Sequence, residues 1–195
     1  NRHRRCIQTV PFRRENRMDS MTNNKLPSSV VISQSMYFPW VGLLEQIGVA
    51  DVFIHYDDVQ FARGFYNRVQ VKTAQGIRWL TVPLHDCHRG QRIDEVFVDN
   101  RKDWRKKHRN ILFQAYLKAP YRDEMLELVD SLFAKSLSTL SDVSRESILT
   151  LASYFDLTED TQFIHSADMI LKFLWILQFF ELHLYLLLFL KFLHL

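Results

Sequence analysis

The fold is most readily recognised in residues 30–58, which read VVISQSMYFPWVGLLEQIGVADVFIHYDD. It contains two β-rich runs, Val30–Ile32 and Asp51–Tyr56, separated by a segment whose apolar residues recur at helical spacing. Pro39 suits the first turn of that helix, and the residue before a proline is biased toward extended backbone. The pattern therefore predicts strand, turn, helix and strand, which together form a right-handed parallel β-α-β unit.

This unit predicts where a binding site would form. Ligands of open parallel sheets collect at the carboxyl ends of the strands. The turn Gln34–Trp40 follows the first predicted strand, and Asp57 and Asp58 follow the second. We therefore expect the turn and the two carboxylates to be close neighbours at one edge of the sheet.

The region after residue 60 predicts a hairpin and then helices. The β-rich runs Tyr66–Thr73 and Ile77–Leu84 are joined by a short loop that contains Gly76. A short strand over Glu95–Val98 is expected to follow, and helical spacing then predicts helices beginning near Trp104 and over residues 121–134 and 140–155. The predicted fold class is α/β, a β-α-β unit plus a β-hairpin followed by a helical segment.

The positive charge of the chain is concentrated at its start. The 195 residues carry a formal net charge of +3, but residues 1–17 contain six arginines and one glutamate, which leaves −2 for the other 178 residues. The body of the chain therefore has no basic field, and no nucleic-acid partner is expected. We interpret residues 1–28 as a disordered basic leader or upstream translated sequence, with no apolar core of a secretory signal. The two cysteines, Cys6 and Cys87, favour a reducing compartment, so we expect a cytoplasmic location.

The last 28 residues have an unusual composition. From Asp168 to Leu195 the sequence is dominated by Leu and Phe and contains no Gly, Ala, Ser, Thr, Val, Pro or Asn. Phe173–Leu190 has the length of a marginal membrane span, but polar and charged residues lie near its centre. Three interpretations of this segment remain open, namely a membrane anchor, a buried core helix and a frameshifted tail. We thus divide the chain into residues 1–28, a domain over 29–166 and a tail over 167–195.

The predicted sheet edge holds two groups of candidate site residues. Asp57 and Asp58 could hold a metal-bridged phosphate, bind sugar hydroxyls or act as a general base. A solvated, Asp-rich turn is the alternative. In the preceding turn, the start of a helix could bind phosphate or carboxylate, or the aromatic residues could simply pack. The substrate-binding candidates at this edge are Gln34, Tyr37, Trp40 and Gln60.

A further group of candidates lies on and before the first strand of the hairpin. Arg63, Asn67, Arg68 and Lys72 are interleaved with aromatic residues. Alternation places Arg68 and Lys72 on one strand face, where they could neutralise a diphosphate or carboxylate. An ordinary solvated strand face is the alternative interpretation.

Histidine and cysteine also cluster in one loop. His85, Cys87 and His88 lie within four residues, but this spacing matches no standard zinc site, so no metal site is predicted. His88 could still exchange protons with a substrate near neutral pH. The sequence does not identify a cofactor.

Several blocks of the sequence resemble the bacterial WbqC-like protein family. The resemblance covers about residues 29–166, and the matching blocks occur in the family's order. They are Gln34–Gly42, Ala50–Phe61, Arg63–Val69, Trp79–Pro83, His88–Gly90, Trp104–His108 and Tyr116–Tyr121. After His165 and Ser166 the family continues with a glycine-containing α/β segment, whereas this chain switches to the Leu/Phe tail.

The resemblance implies a role in surface polysaccharide synthesis. Members of this largely uncharacterised family occur among genes for O-antigen, where transfer of glycine or another acyl group to a sugar has been suggested. The expected partner is a small sugar or an activated donor. Asp57 or Asp58 would be base or metal ligand, Arg63, Arg68 and Lys72 would bind the anionic donor, and Gln34, Tyr37, Asn67 and His88 would shape the pocket. A non-catalytic carbohydrate- or nucleotide-binding protein, or a truncated inactive product, is the alternative.

Overall fold

The computed structural model describes residues 29–169, so the predictions about the basic leader and most of the tail concern residues outside the described part. Seven strands, four α-helices and a single 3-10 turn at Ile93–Glu95 make up this part. In chain order the strands and helices are β1 (Val30–Ser33), α1 (Val41–Val49), β2 (Val52–His55), β3 (Arg68–Thr73), β4 (Gly76–Thr81), β5 (Leu84–His85), β6 (Phe97–Val98), α2 (Trp104–Ala115), α3 (Arg122–Phe133), α4 (Leu140–Tyr154) and β7 (Gln162–His165).

The first three elements form the predicted β-α-β unit. Strands β1 and β2 pair in parallel, from Val30 opposite Val52 to Ser33 opposite His55. Helix α1 connects them and buries Leu43 and Ile47 in a small apolar cluster with Phe53 of β2. The α/β fold class and this unit are confirmed.

A third parallel strand, β7, was not predicted. It pairs with the other side of β2, so that the sheet order is β1-β2-β7 and His165 lies opposite His55. Its four residues are too few to show a period by themselves, and the partner strand lies more than a hundred residues earlier. Pairing with β2 therefore makes this segment a strand.

The predicted hairpin is present as β3 and β4. The two strands pair antiparallel from Arg68 opposite Thr81 to Thr73 opposite Gly76. Gly76 has a φ of 106°, a conformation that glycine adopts without steric cost. Val71 and Leu80 face the larger apolar core, so Arg68 and Lys72 share the opposite strand face, as alternation predicts.

The helical segment follows the predicted boundaries closely. Helix α4 begins with a capping box in which the Thr139 side chain accepts a hydrogen bond from the backbone of Asp142. Helices α2, α3 and α4 all contribute to the larger core. The strand expected at Glu95–Val98 is shorter, because Glu95 ends a 3-10 turn and only Phe97–Val98 pairs with β5.

No helix within residues 29–169 has the length and apolar character needed to cross a membrane. The Leu/Phe stretch Phe173–Leu190 lies outside these residues.

Candidate active site

Three buried polar side chains meet at the carboxyl edge of the parallel sheet. Ser35 follows β1, His55 is the last residue of β2, and Asp57 comes two residues later. The backbone N–H of Ser35 donates to Asp57 Oδ1 at 2.8 Å, and Ser35 Oγ lies 2.8 Å from Asp57 Oδ2 and 2.9 Å from His55 Nδ1. The turn after β1 and the first of the two predicted carboxylates are therefore neighbours, as the β-α-β unit implies.

Helix α4 supplies two more donors to the same carboxylate. Ser141 Oγ donates to Asp57 Oδ2 at 2.7 Å, and Arg145 Nε donates to it at 2.8 Å. Burial raises the pKa of Asp57, but the hydrogen bonds from Arg145, Ser35 and Ser141 outweigh burial and hold that pKa below its usual value. Asp57 is thus an ionised, fully engaged acceptor, which suits positioning better than proton abstraction.

The hydrogen bonds determine the tautomer of His55. An ionised carboxylate only accepts, so the single hydroxyl hydrogen of Ser35 points to Asp57. His55 Nδ1 must then carry the proton that it donates to Ser35 Oγ. The lone pair of the ring is consequently on Nε2, which is buried and has no hydrogen-bond partner among the described residues.

A second histidine lies against the first. The rings of His55 and His165 are stacked with centroids 5.5 Å apart, and Nδ1 of His165 is also buried without a partner in the described part of the chain. Burial lowers the pKa of both histidines, that of His55 to about 4. Buried polar atoms are nearly always hydrogen-bonded, so these two imidazole nitrogens on adjacent strands have hydrogen-bonding capacity that no described residue fills.

The rim of this site contains the second predicted carboxylate. Asp58 is half-buried and accepts a hydrogen bond from Ser166, the residue after β7. The segment after β2 is bordered by the loop that carries His88, because Gln60 forms an isolated bridge with Arg92 and the Phe61 N–H donates to the Gln91 carbonyl at 2.8 Å. His88 itself is exposed on that loop.

Other predicted site residues have different surroundings. Tyr37 is buried in the larger core, with its hydroxyl 2.9 Å from His108 Nδ1. Asn67 is buried and donates to the Val82 carbonyl, whereas Arg68 lies over the Trp79 ring at 4.3 Å. Gln34 is half-buried next to Ser35. Three further candidate residues are exposed to solvent, namely Trp40, Arg63 and Lys72. Whether any of these residues binds substrate remains a prediction.

Sequence reasoning missed the side chains that complete the centre. Ser35 and His55 lie within the segments quoted for the predicted edge, so a lone histidine ending a buried strand was an available signal. Arg145 lies 88 residues after its partner Asp57, and His165 lies 110 residues after its strand neighbour His55. Only tertiary structure brings those two to the edge.

The buried histidines predict acid sensitivity of the fold. From about pH 7 to about pH 5 we expect the free energy of unfolding to fall by roughly 2 kcal/mol for each of His55 and His108. Both have a pKa of about 4 in the folded chain, because burial disfavours the charged ring, and an ordinary value of 6.5. The unfolded state therefore takes up protons first as the pH falls. Urea titrations across this range measure the effect, and the same slope in a variant with asparagine at both positions would contradict it.

Among residues 29–169 no group of three or more His, Cys, Asp or Glu side chains is arranged to hold a metal ion. The side chains at the sheet edge are suited to proton transfer at His55 Nε2 and to hydrogen bonding at His165 and Asp58.

Comparison with known proteins identifies the family. The model of the WbqC-like protein family matches residues 34–179. A protein of Mycobacterium tuberculosis, itself described only as uncharacterized, is 35% identical over 132 residues, which cover 66% of this chain and 57% of that protein. The chain thus spans little more than half the length of this relative. No solved structure matches. The chain belongs to the WbqC-like protein family.

Proposed function

We propose that this protein transfers an acyl group of the glycine type from an activated donor to a sugar or sugar nucleotide during O-antigen or other surface polysaccharide synthesis, acting in the cytoplasm. The observation that carries the proposal is the free, buried Nε2 of His55, whose tautomer is set by Ser35 and Asp57. Such a nitrogen is suited to take a proton from an acceptor hydroxyl or amine.

The proposed step is a single acyl transfer. His55 Nε2 accepts the proton of the acceptor O–H or N–H while that oxygen or nitrogen bonds to the donor's carbonyl carbon. The bond from this carbon to the leaving group then breaks, the leaving group keeps the electron pair, and His55 returns the proton to it. Asp57, linked to the ring through Ser35, favours the imidazolium that exists in between.

The neighbouring polar groups suit the binding of a sugar. The His165 ring stacks on His55, and Ser166, the next residue, donates to Asp58. We assign His165 Nδ1 and Asp58 to hydrogen bonds with hydroxyl groups of an acceptor. Of the two acids predicted as base, Asp58 is the one whose carboxylate is not held by an arginine among the described residues. We therefore assign Asp58 to acceptor binding and Asp57 to positioning of His55.

The test is direct detection of product. The full chain is incubated with a glycyl thioester and uridine diphosphate sugars, and mass spectrometry looks for a sugar nucleotide that has gained one glycyl residue. We expect wild type to form this product and Asp58→Ala to lose turnover while keeping its unfolding midpoint. Asp123→Ala, at an exposed acid of α3, is the matched control and should retain full turnover.

Two results would contradict the proposal. Equal turnover by Asp58→Ala and wild type would remove Asp58 from acceptor binding. Calorimetric binding of the sugar nucleotides without product from thioester, adenylate or ester donors would favour a non-catalytic carbohydrate- or nucleotide-binding protein.

A further inference from the structure

A groove separates the β3–β4 hairpin from helix α2. Two cavities of about 610 and 360 Å³ lie along it, and both are lined by Asp103, Lys107 and Ile111. The volumes fall within the range of small-molecule sites. The groove uses none of the residues of the Ser35–His55–Asp57 centre.

The groove is lined by more cations than anions. Arg78 comes from β4, and Lys102, Lys106 and Lys107 come from the start of α2 and the residues before it. Within the described residues, Arg78, Lys106 and Lys107 form no ion pair, while Lys102 contacts Asp99 at 3.3 Å. Asp103 is the single carboxylate among the residues that line the two cavities. An anion in the groove would therefore meet uncompensated positive charge.

A buried donor adds a second, independent observation. Trp104 lines the smaller cavity and is only 4% exposed, yet its indole N–H has no acceptor in residues 29–169. Buried N–H groups without an acceptor are rare in folded proteins. A ligand oxygen in the cavity would supply the missing partner.

The aromatic surface beside the cavity favours recognition of phosphate over stacking of a base. Trp79 lines the smaller cavity, but the Arg68 guanidinium lies over its ring at 4.3 Å and the Phe65 ring is 5.5 Å away. With these neighbours in place, a base has little free ring surface to stack on. The Arg68 guanidinium is instead a further positive charge next to Trp79, a residue that lines the smaller cavity.

We infer that the groove between the hairpin and α2 binds the diphosphate group of a nucleoside diphosphate or nucleoside diphosphate sugar. Arg78, Lys106 and Lys107 contact the phosphate oxygens, and the Trp104 N–H donates to one of them. Lysine and arginine side chains form strong, charge-assisted hydrogen bonds with phosphate. The inference stands whether or not His55 is catalytic, since it concerns binding alone.

The experiment is a binding titration of the full chain with uridine diphosphate and with inorganic pyrophosphate. We expect both to bind, uridine to bind far more weakly, and Lys107→Glu to weaken uridine diphosphate binding by at least about tenfold. Lys118→Glu makes the same charge change at an exposed residue outside the groove and should stay within about twofold of wild type.

A second variant tests the buried donor. Trp104→Phe keeps an aromatic ring in the core but removes the N–H, and it should weaken uridine diphosphate binding by roughly threefold to tenfold. Equal binding by Lys107→Glu and Lys118→Glu would overturn the inference. So would binding of a single-stranded oligonucleotide without measurable binding of uridine diphosphate or pyrophosphate, which would indicate a nucleic-acid surface instead.

Discussion

Replacing Arg145 by methionine is expected to lower the free energy of unfolding by about 3 kcal/mol, because the change leaves a buried carboxylate without its counter-charge. Asp57 is only 2% exposed, and the Arg145 side chain that neutralises it is 21% exposed. Ser35 and Ser141 continue to donate to Asp57, which keeps the loss near the lower end for a broken buried pair. Chemical denaturation followed by circular dichroism measures the loss.

The chain offers a matched control on helix α2. Arg109 makes a two-pronged ion pair with Asp130 at 2.6 and 2.9 Å, but the side chains are 40% and 45% exposed. Arg109→Met should therefore cost less than about 1 kcal/mol. Adding Asp57→Asn to Arg145→Met removes the stranded charge and should restore part of the lost stability. Equal losses for the two arginine variants would contradict the assignment of Asp57 and Arg145 as a buried pair.

Replacing His55 by asparagine is expected to lower turnover by roughly 10²- to 10⁴-fold, the usual contribution of a positioned general base. The asparagine amide can still donate to Ser35 Oγ, so the link to Asp57 is kept while Nε2 is removed. The comparison uses the product assay proposed above. His85→Asn, which removes a partly exposed imidazole on β5, should leave turnover near that of wild type.

The pH profile separates a base from a merely structural histidine. Because burial lowers the pKa of His55 to about 4, the ring is neutral throughout the neutral range and protonates only in acid. Wild-type kcat/KM should thus hold down to about pH 5 and fall as the pH approaches 4, since the protonated ring cannot accept a proton. His55→Asn should lose this acid limb. An acid limb centred near the ordinary histidine pKa would contradict the proposed role.

Residues 30–58 were enough to predict the β-α-β unit, because strand and helix periods are properties of neighbouring residues. The hairpin was equally readable, since Gly76 provides the φ of 106° that its turn requires. Strand β7 was not, because four residues carry no period and its partner β2 lies about 110 residues earlier. The turn after β1 and Asp57 are neighbours at the sheet edge, as predicted, but the predicted catalytic residues Asp57, Asp58 and His88 do not include His55.

The order of the local elements, and the edge where β1 and β2 end, follow from the sequence alone. The state of each polar group at that edge depends on the tertiary structure. From the sequence, Asp57 could be a solvated acid or a base, whereas in the fold Arg145 and Ser141 of α4 both donate to its Oδ2. His55 became a candidate base because its Nδ1 donates to Ser35 Oγ, which itself donates to Asp57, and this leaves Nε2 with the lone pair. Protonation depends on burial and on partners within a few ångströms, and folding brings those partners together from distant parts of the chain.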